Sequence, residues 1–103
     1  MIAAIHGYCL GAAVDIVAAC DIRIATKDTK FSIKEIDIGF ASDIGVIQRF
    51  QKVTGSRSKA MQMTLTGQSF NGIEAKRVGF LSRVVDTQEE CLQAALDMAK
   101  VIA

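Results

Sequence analysis

The chain has 103 residues, of which 50% are hydrophobic and 22% are charged. This length and composition predict one soluble globular unit and exclude two separate domains. The 12 basic and 11 acidic residues nearly cancel, and no basic run or aromatic-interleaved patch is present. The charge balance therefore argues against nucleic acid or an anionic membrane as a partner.

The cysteines and the single histidine indicate neither a disulfide framework nor a metal site. Cys9, Cys20 and Cys91 are odd in number, widely spaced and set among apolar residues, which predicts reduced and mostly buried thiols. One histidine and three scattered cysteines do not have metal-ligand spacing, so we expect no metal. The apolar run at residues 1–5 is too short to cross a bilayer, and we recognise no targeting signal.

Strands and a helix alternate in the first third of the chain, which is typical of an α/β layer. The apolar runs predict the strands, and the glycines mark a tight turn that leads into the helix. The predicted elements are a strand over Ile2–Ile5, a turn over Gly7–Gly11, a helix over about Ala12–Ala19, a strand over Cys20–Thr26, a polar turn over Asp28–Lys30 and an extended piece over Phe31–Ile33.

Helices dominate the remainder of the chain. Three polar residues, Ser56, Asn71 and Thr87, stand where a helix-capping side chain is expected. The predicted elements are a helix from Gly45 to a cap at Gly55, helices from Ser56 to about Leu65, over Gly72–Val78 and over Gln88–Ile102, and a strand over Phe80–Val85. The last helix carries an apolar stripe that requires a partner surface, formed by Leu92, Ala95, Leu96 and Ala99.

The segment Gly11-Ala12-Ala13 is a candidate anion-binding site. At a strand-to-helix junction its backbone N–H groups lack intrahelical acceptors, and the small side chains let an anionic oxygen approach. A glycine before a helix is more often only a turn, so this pattern alone leaves both interpretations open.

Three carboxylates, Asp15, Glu35 and Asp43, are candidates for proton transfer because they lie in segments of mostly small or apolar residues, where a carboxylate is poorly solvated. Asp15 by itself is also typical of a carboxylate that interacts favourably with a helix dipole. Two-residue alternation places Glu35 and Asp37 on one face, so the period does not decide which of these two acids points inward.

Several segments together resemble the central part of the crotonase, or enoyl-CoA hydratase/isomerase, superfamily, and within it the Δ3,5-Δ2,4-dienoyl-CoA isomerases. The resemblance runs over nearly the whole chain. It is carried by Ile2–Gly7, Cys20–Arg23, Phe31–Gly39, Asp43–Gly45, Gln48–Phe50, Glu74–Ala75 and Gly79–Val84.

The resemblance implies an α/β fold of the crotonase type, a spiral of short ββα units that is only partial here. Residues 1–103 would be the central part of a single domain, without the N-terminal portion that binds coenzyme A and without the C-terminal helices. In the family the amide after the first glycine holds the thioester oxygen, which assigns Gly11 and Ala12 to the oxyanion and substrate-binding site. The family usually has three glycines where this chain has Gly11 and two alanines.

The same resemblance implies a reaction and gives each acid a role in it. Asp43 would remove the C2 proton of a 3,5-dienoyl-CoA, Glu35 would deliver a proton to C6, and Asp15 would support the pair. The product would be a 2,4-dienoyl-CoA in fatty acid β-oxidation, formed without a metal or a cofactor beyond the coenzyme A of the substrate. Family members are trimers or hexamers, and their pathway places them in the peroxisome or mitochondrion.

Two alternatives remain open. The first is an enoyl-CoA hydratase, in which acids at the positions of Asp15 and Glu35 would align and activate a water molecule. The second is a truncated, inactive protein that only associates with full-length subunits. The third acid, Asp43, favours the isomerase because hydratases lack an acid at this position.

Overall fold

Short strands and helices alternate along the chain in the computed structural model, which describes residues 1–33, 50 and 52–103. The elements in chain order are β1 (Ile2–Ile5), β2 (Tyr8–Leu10), α1 (Ala12–Ala18), β3 (Ile22–Thr26), β4 (Lys30–Ser32), α2 (Arg57–Thr66), β5 (Phe70–Asn71), α3 (Gly72–Arg77), β6 (Arg83–Val85) and α4 (Gln88–Ile102).

The strands form two small sheets. In the first sheet, with the order β1-β3-β6, both pairings are parallel, and Ile2 lies opposite Ile22. In the second sheet, with the order β2-β4-β5, β2 and β4 are parallel, whereas β4 and β5 are antiparallel. The first four strands thus alternate between the two sheets, β5 stays in the second sheet and β6 returns to the first. α1 carries the chain from β2 of the second sheet to β3 of the first.

Four phenylalanines hold the centre of the fold together. Phe31 of β4 stacks on Phe70 of β5 with ring centroids 5.4 Å apart, and Phe50 meets Phe80 edge-on at 5.1 Å. Phe31 also meets Phe80 edge-on at 5.8 Å, so the pairs form one cluster. All four rings are buried, and aromatic pairs of this geometry contribute about 0.5–1.5 kcal/mol beyond their area burial.

The ends of the chain follow the sequence predictions closely. The first strand and the last helix are confirmed with the expected bounds, Ile2–Ile5 and Gln88–Ile102. The three predicted caps are confirmed as well, since each side chain accepts a hydrogen bond from the amide three residues later. These bonds are Lys59 N to Ser56 Oγ at 3.2 Å, Glu74 N to Asn71 Oδ1 at 2.9 Å, and Glu90 N to Thr87 Oγ1 at 3.2 Å.

Two predictions near strands were wrong. Tyr8–Leu10 is a strand instead of part of a turn, because its backbone pairs in parallel with Lys30–Ser32. The last strand begins at Arg83 instead of Phe80, since the amides of Phe80 and Leu81 donate to the carbonyl of Ala75 in α3. The helix predicted from Gly45 to Gly55 lies largely outside the described residues, although Phe50, Lys52 and Val53 are helical.

The apolar stripe of α4 is only partly covered. Cys91, Ala94 and Ala95 pack against the first sheet, where Ile24 and Val85 complete a small second core. Leu92 and Leu96 remain 57% and 48% exposed. Together with Met1, Ile2 and Ala4, these leucines line an apolar groove of about 520 Å³. We call it the groove between β1 and α4.

Within the described part of the chain, no helix is both long and apolar enough to cross a membrane.

Candidate active site

The parallel pairing of β2 and β4 creates a junction at their carboxyl ends. The last register pair is Leu10 with Ser32, so the chain enters α1 next to the end of β4. The carboxyl ends of parallel strands are where α/β proteins commonly place their ligands. This junction is therefore the candidate active site.

Gly11 makes the turn at this junction. Its φ of 59° and ψ of −124° suit glycine because a side chain would be strained at a positive φ. The Gly11 N–H donates to the carbonyl of Ser32 at 2.8 Å, and the Gly11 carbonyl accepts from Val14 N at 2.9 Å. Gly11 thus shapes the site, but its own amide is already hydrogen-bonded within the protein.

The next amide is in a better position to bind an anionic oxygen. Ala12 is the first residue of α1 and is exposed. The first N–H groups of an α-helix have no acceptor inside the helix, so the Ala12 amide points beyond the helix start. The assignment of the oxyanion donor to Ala12 stays a prediction, and the geometry of the turn is compatible with it.

Asp15 lies one turn further along the same helix and is only 3% exposed. A carboxylate in the first turn interacts favourably with the helix dipole, but an acid with that role alone normally stays in water. Asp15 is thus buried, whereas Ala12, three residues before it in α1, is exposed. The two predicted site residues of α1 therefore share one junction.

The other two predicted acids, Glu35 and Asp43, lie outside the described residues, as does Asp37. Ser32, the last residue of β4, is separated from Glu35 by only two residues in the sequence. The description of the site thus covers the turn, the α1 amide and one of the three carboxylates, and the roles of the other two stay predictions.

Ser32 is the residue of this junction that the sequence reasoning missed. Its carbonyl accepts from Gly11, and its buried side chain donates from Oγ to the carbonyl of Gly67 at 2.8 Å. A polar residue between Phe31 and Ile33, both of which are buried, was the available signal. A small hydroxyl between two buried apolar residues indicates a hydrogen bond to backbone.

The cysteines do not supply a nucleophile here. Cys9 of β2 is buried, and burial raises the pKa of its thiol to about 11. Burial also raises the pKa of Cys91, whose Sγ donates to the carbonyl of Ile24 at 3.4 Å. Buried thiols were predicted and are confirmed for these two, whereas Cys20 is only partly buried. Among residues 1–33, 50 and 52–103, no cluster of three potential metal ligands occurs.

Comparisons with known proteins agree with this architecture. The family model for enoyl-CoA hydratase/isomerase matches residues 1–103. The chain is 44% identical to the mitochondrial Δ(3,5)-Δ(2,4)-dienoyl-CoA isomerase of Rattus norvegicus over 103 residues, which are 100% of this chain and 32% of the relative. It is 44% identical over 90 residues to the peroxisomal enzyme of the same name from Arabidopsis thaliana, which covers 87% of this chain and 32% of the relative.

Solved structures lead to the same family. A crystal structure of enoyl-CoA hydratase from Mycobacterium avium has a TM-score of 0.90 and 29% identity, and the match covers 98% of this chain and 44% of that chain. The chain spans about a third of the length of the curated relatives it matches. The mixed strand and helix layers are those of the crotonase fold, and the chain belongs to the enoyl-CoA hydratase/isomerase family.

Proposed function

We propose that the protein carrying this chain isomerises 3,5-dienoyl-CoA to 2,4-dienoyl-CoA by a 1,5-proton transfer between carboxyl groups. The observation that carries the proposal is the 44% identity to a dienoyl-CoA isomerase over every residue of the chain. The presence of three acids in the sequence, Asp15, Glu35 and Asp43, supports it, because a hydratase of this family needs only two.

The backbone at the start of α1 stabilises the charge that develops on the substrate. When a proton leaves C2 of the thioester, negative charge spreads to the carbonyl oxygen as a dienolate forms. The N–H of Ala12, an exposed residue, donates to this oxygen. A single donor of this kind is typically worth about 2.7–4 kcal/mol of transition-state stabilisation.

The proton transfer requires a base and an acid at separate carbons. Asp43 as a carboxylate takes the C2 proton, and Glu35 as a carboxylic acid gives a proton to C6, so the double bonds move without oxidation or reduction. After the reaction Asp43 is protonated and Glu35 is ionised. A proton must then return from Asp43 to Glu35, directly or through solvent, before the next turnover.

Asp15 supports this pair from α1. Neighbouring carboxyl groups titrate as a coupled set, which allows one to remain protonated while another is ionised. Asp15 is buried close to the exposed Ala12 amide, so it contributes a third acid from a fixed helical position. Its role is electrostatic support of the two acids that exchange protons with the substrate.

The setting of the reaction follows from the same proposal. The matched relatives are named as mitochondrial in Rattus norvegicus and peroxisomal in Arabidopsis thaliana, and we propose one of these two organelles for this protein. The substrate is an unsaturated acyl-CoA of fatty acid β-oxidation, and the complete protein is a homo-trimer or hexamer.

The test uses the intact protein that carries this sequence, supplied separately with a 3,5-dienoyl-CoA and an enoyl-CoA while ultraviolet absorbance is followed. We expect the conjugated 2,4-dienoyl product to appear and to be lost in Asp43→Asn, with Asp28→Asn as the matched control because Asp28 is an exposed turn residue. Water addition to enoyl-CoA with Asp43→Asn unaffected would make the protein a hydratase. A comparison of Asp37→Asn with Glu35→Gln decides which of these two acids gives the proton to C6.

A second candidate function rests on the groove between β1 and α4. A soluble chain rarely leaves large apolar side chains such as Leu92 and Leu96 contiguous and exposed without a partner. An inactive protein that associates with full-length subunits would use this surface. The intact mass of the native protein tests this candidate: 11.1 kDa, the mass of the chain itself, supports it, and a larger mass supports the isomerase.

A further inference from the structure

Arg23 of β3 reaches across to the end of α1. Its Nη1 donates to the carbonyl of Cys20 at 2.6 Å, and the same nitrogen lies 3.3 Å from the carbonyl of Val17 and 3.5 Å from that of Ala18. The last carbonyls of a helix have no intrahelical donor and carry the negative end of its dipole. The guanidinium therefore binds the carboxyl end of α1.

The other side of the guanidinium is held by the loop between α3 and β6. Nε donates to the carbonyl of Phe80 at 2.6 Å, and the guanidinium carbon lies 5.2 Å from the centroid of the Phe80 ring. Phe80 belongs to the buried aromatic cluster. Arg23 thus connects a helix end to the core by donors on two different nitrogens of its rigid fork, an arrangement that the single nitrogen of lysine does not reproduce.

α1 is consequently fixed at both ends. Gly11 bonds its start to β4, and Arg23 bonds its end to β3 and to the loop at Phe80. The helix has only seven residues, so a shift of its carboxyl end moves Ala12 and Asp15 as well. Short isolated helices are marginal in water and depend on such tertiary contacts.

We propose that Arg23 is a positioning residue for the reaction, acting through α1 on the Ala12 amide and the Asp15 carboxyl group. This inference rests on the proposed function. A misplacement of about 1 Å in a catalytic constellation can cost about 100-fold in rate. Because the amide acts most strongly on the charged transition state, its displacement lowers kcat more than it changes KM.

The test compares Arg23→Lys with Ser82→Ala in the intact protein. Ser82 Oγ donates to the carbonyl of Arg23 at 3.0 Å, so its removal loosens the same strand without changing the contacts to α1. We expect Arg23→Lys to lower kcat by about 10- to 100-fold with KM within about twofold of wild type. Ser82→Ala should retain the wild-type kcat at 25 °C. In Arg23→Lys, amide hydrogen exchange should become faster in α1 and stay unchanged in α4.

Each other outcome has a definite meaning. The inference is overturned if Arg23→Lys keeps the wild-type kcat. It is also overturned if Arg23→Lys and Ser82→Ala both lose kcat in proportion to their loss of melting temperature, because Arg23 would then be only a structural residue. Unchanged exchange in α1 would overturn it as well, whatever the activity. If the wild-type protein converts neither 3,5-dienoyl-CoA nor enoyl-CoA, the proposed function fails and the catalytic part of this inference fails with it, while α1 exchange still reports the anchoring.

Discussion

The N–H of Gly11 donates to the carbonyl oxygen of Ser32 at 2.8 Å, and this bond ties the start of α1 to the end of β4. The bond depends on a turn that only glycine adopts without strain, with φ 59° and ψ −124°. The backbone conformation at one residue thus determines where the Ala12 amide lies. The segment carrying Glu35 follows directly from the other partner of the bond.

We expect Gly11→Ala to reduce activity more than stability. A side chain at this positive φ costs about 1–3 kcal/mol, and relief of that strain would rotate the Ala12 amide away from the substrate oxygen. Turnover of 3,5-dienoyl-CoA and the melting temperature are the two measurements. Gly7→Ala is the matched control, because Gly7 has φ 72° with open space around its Cβ position and lies at the opposite end of β2. Equal losses of turnover in the two variants would contradict the role of this turn.

A second prediction concerns the close approach of α3 to β3. A Cβ atom on Gly72 would lie 2.2 Å from the carbonyl oxygen of Thr26, which is backbone and has little room to move. We expect Gly72→Ala to lower the free energy of unfolding by about 1–3 kcal/mol or more. At Gly55 the nearest atom to such a Cβ is the Val78 carbonyl oxygen, an ordinary 3.5 Å away.

Urea unfolding of the two glycine variants makes this comparison quantitative. Gly55→Ala should stay within about 0.5 kcal/mol of wild type, as is common for surface substitutions without a special feature. A Gly72→Ala protein as stable as Gly55→Ala would mean that α3 can shift away from Thr26, and the close packing of these elements would then not be needed for the fold.

The elements that sequence reasoning predicted well are those with local signals. The cap at Thr87 and the apolar face of α4 are both encoded within the helix, and its bounds were predicted correctly. Tyr8–Leu10 has no comparable signal, because the strand is three residues long and is stabilised by pairing with Lys30–Ser32 some 20 residues away. Partners this far apart in the chain cannot be identified from local propensity.

The candidate site was predictable to a similar degree. Small residues at a strand-to-helix junction indicated the segment Gly11-Ala12-Ala13 as a candidate, and the strand-to-helix turn at Gly11 is present. The choice of the Ala12 amide within this segment came from the family resemblance. That the Gly11 amide is occupied by Ser32 follows only from the register of β2 with β4. Resemblance to a family supplied the roles of Glu35 and Asp43, which spacing alone left open.

Asp15 gives a third prediction, for catalysis. Asp15→Asn keeps the shape of a side chain that is 3% exposed and removes its charge. If Asp15 keeps the ionisation of Glu35 and Asp43 unequal, its neutralisation should lower kcat by about 10-fold or more. This loss is smaller than the rate factor of about 10²–10⁴ that a residue typically contributes by direct proton transfer. An unchanged kcat beside the Asp28→Asn control would leave Asp15 as a helix-dipole partner only.

The last prediction concerns Cys9, whose thiol has its pKa raised to about 11 by burial. In the unfolded chain a cysteine loses its proton at a pKa of about 8.5, so above that pH the unfolded state binds fewer protons than the folded state. Stability from this residue is therefore fully present below the unfolded pKa and is lost as the pH rises towards about 11. We expect the free energy of unfolding to fall over this alkaline range, and less steeply in Cys9→Ala.

Iodoacetamide at pH 8 should modify the partly buried Cys20 before Cys9 and Cys91. Equal modification of all three thiols in the native protein, or the same alkaline slope in Cys9→Ala, would contradict the burial of Cys9 in β2.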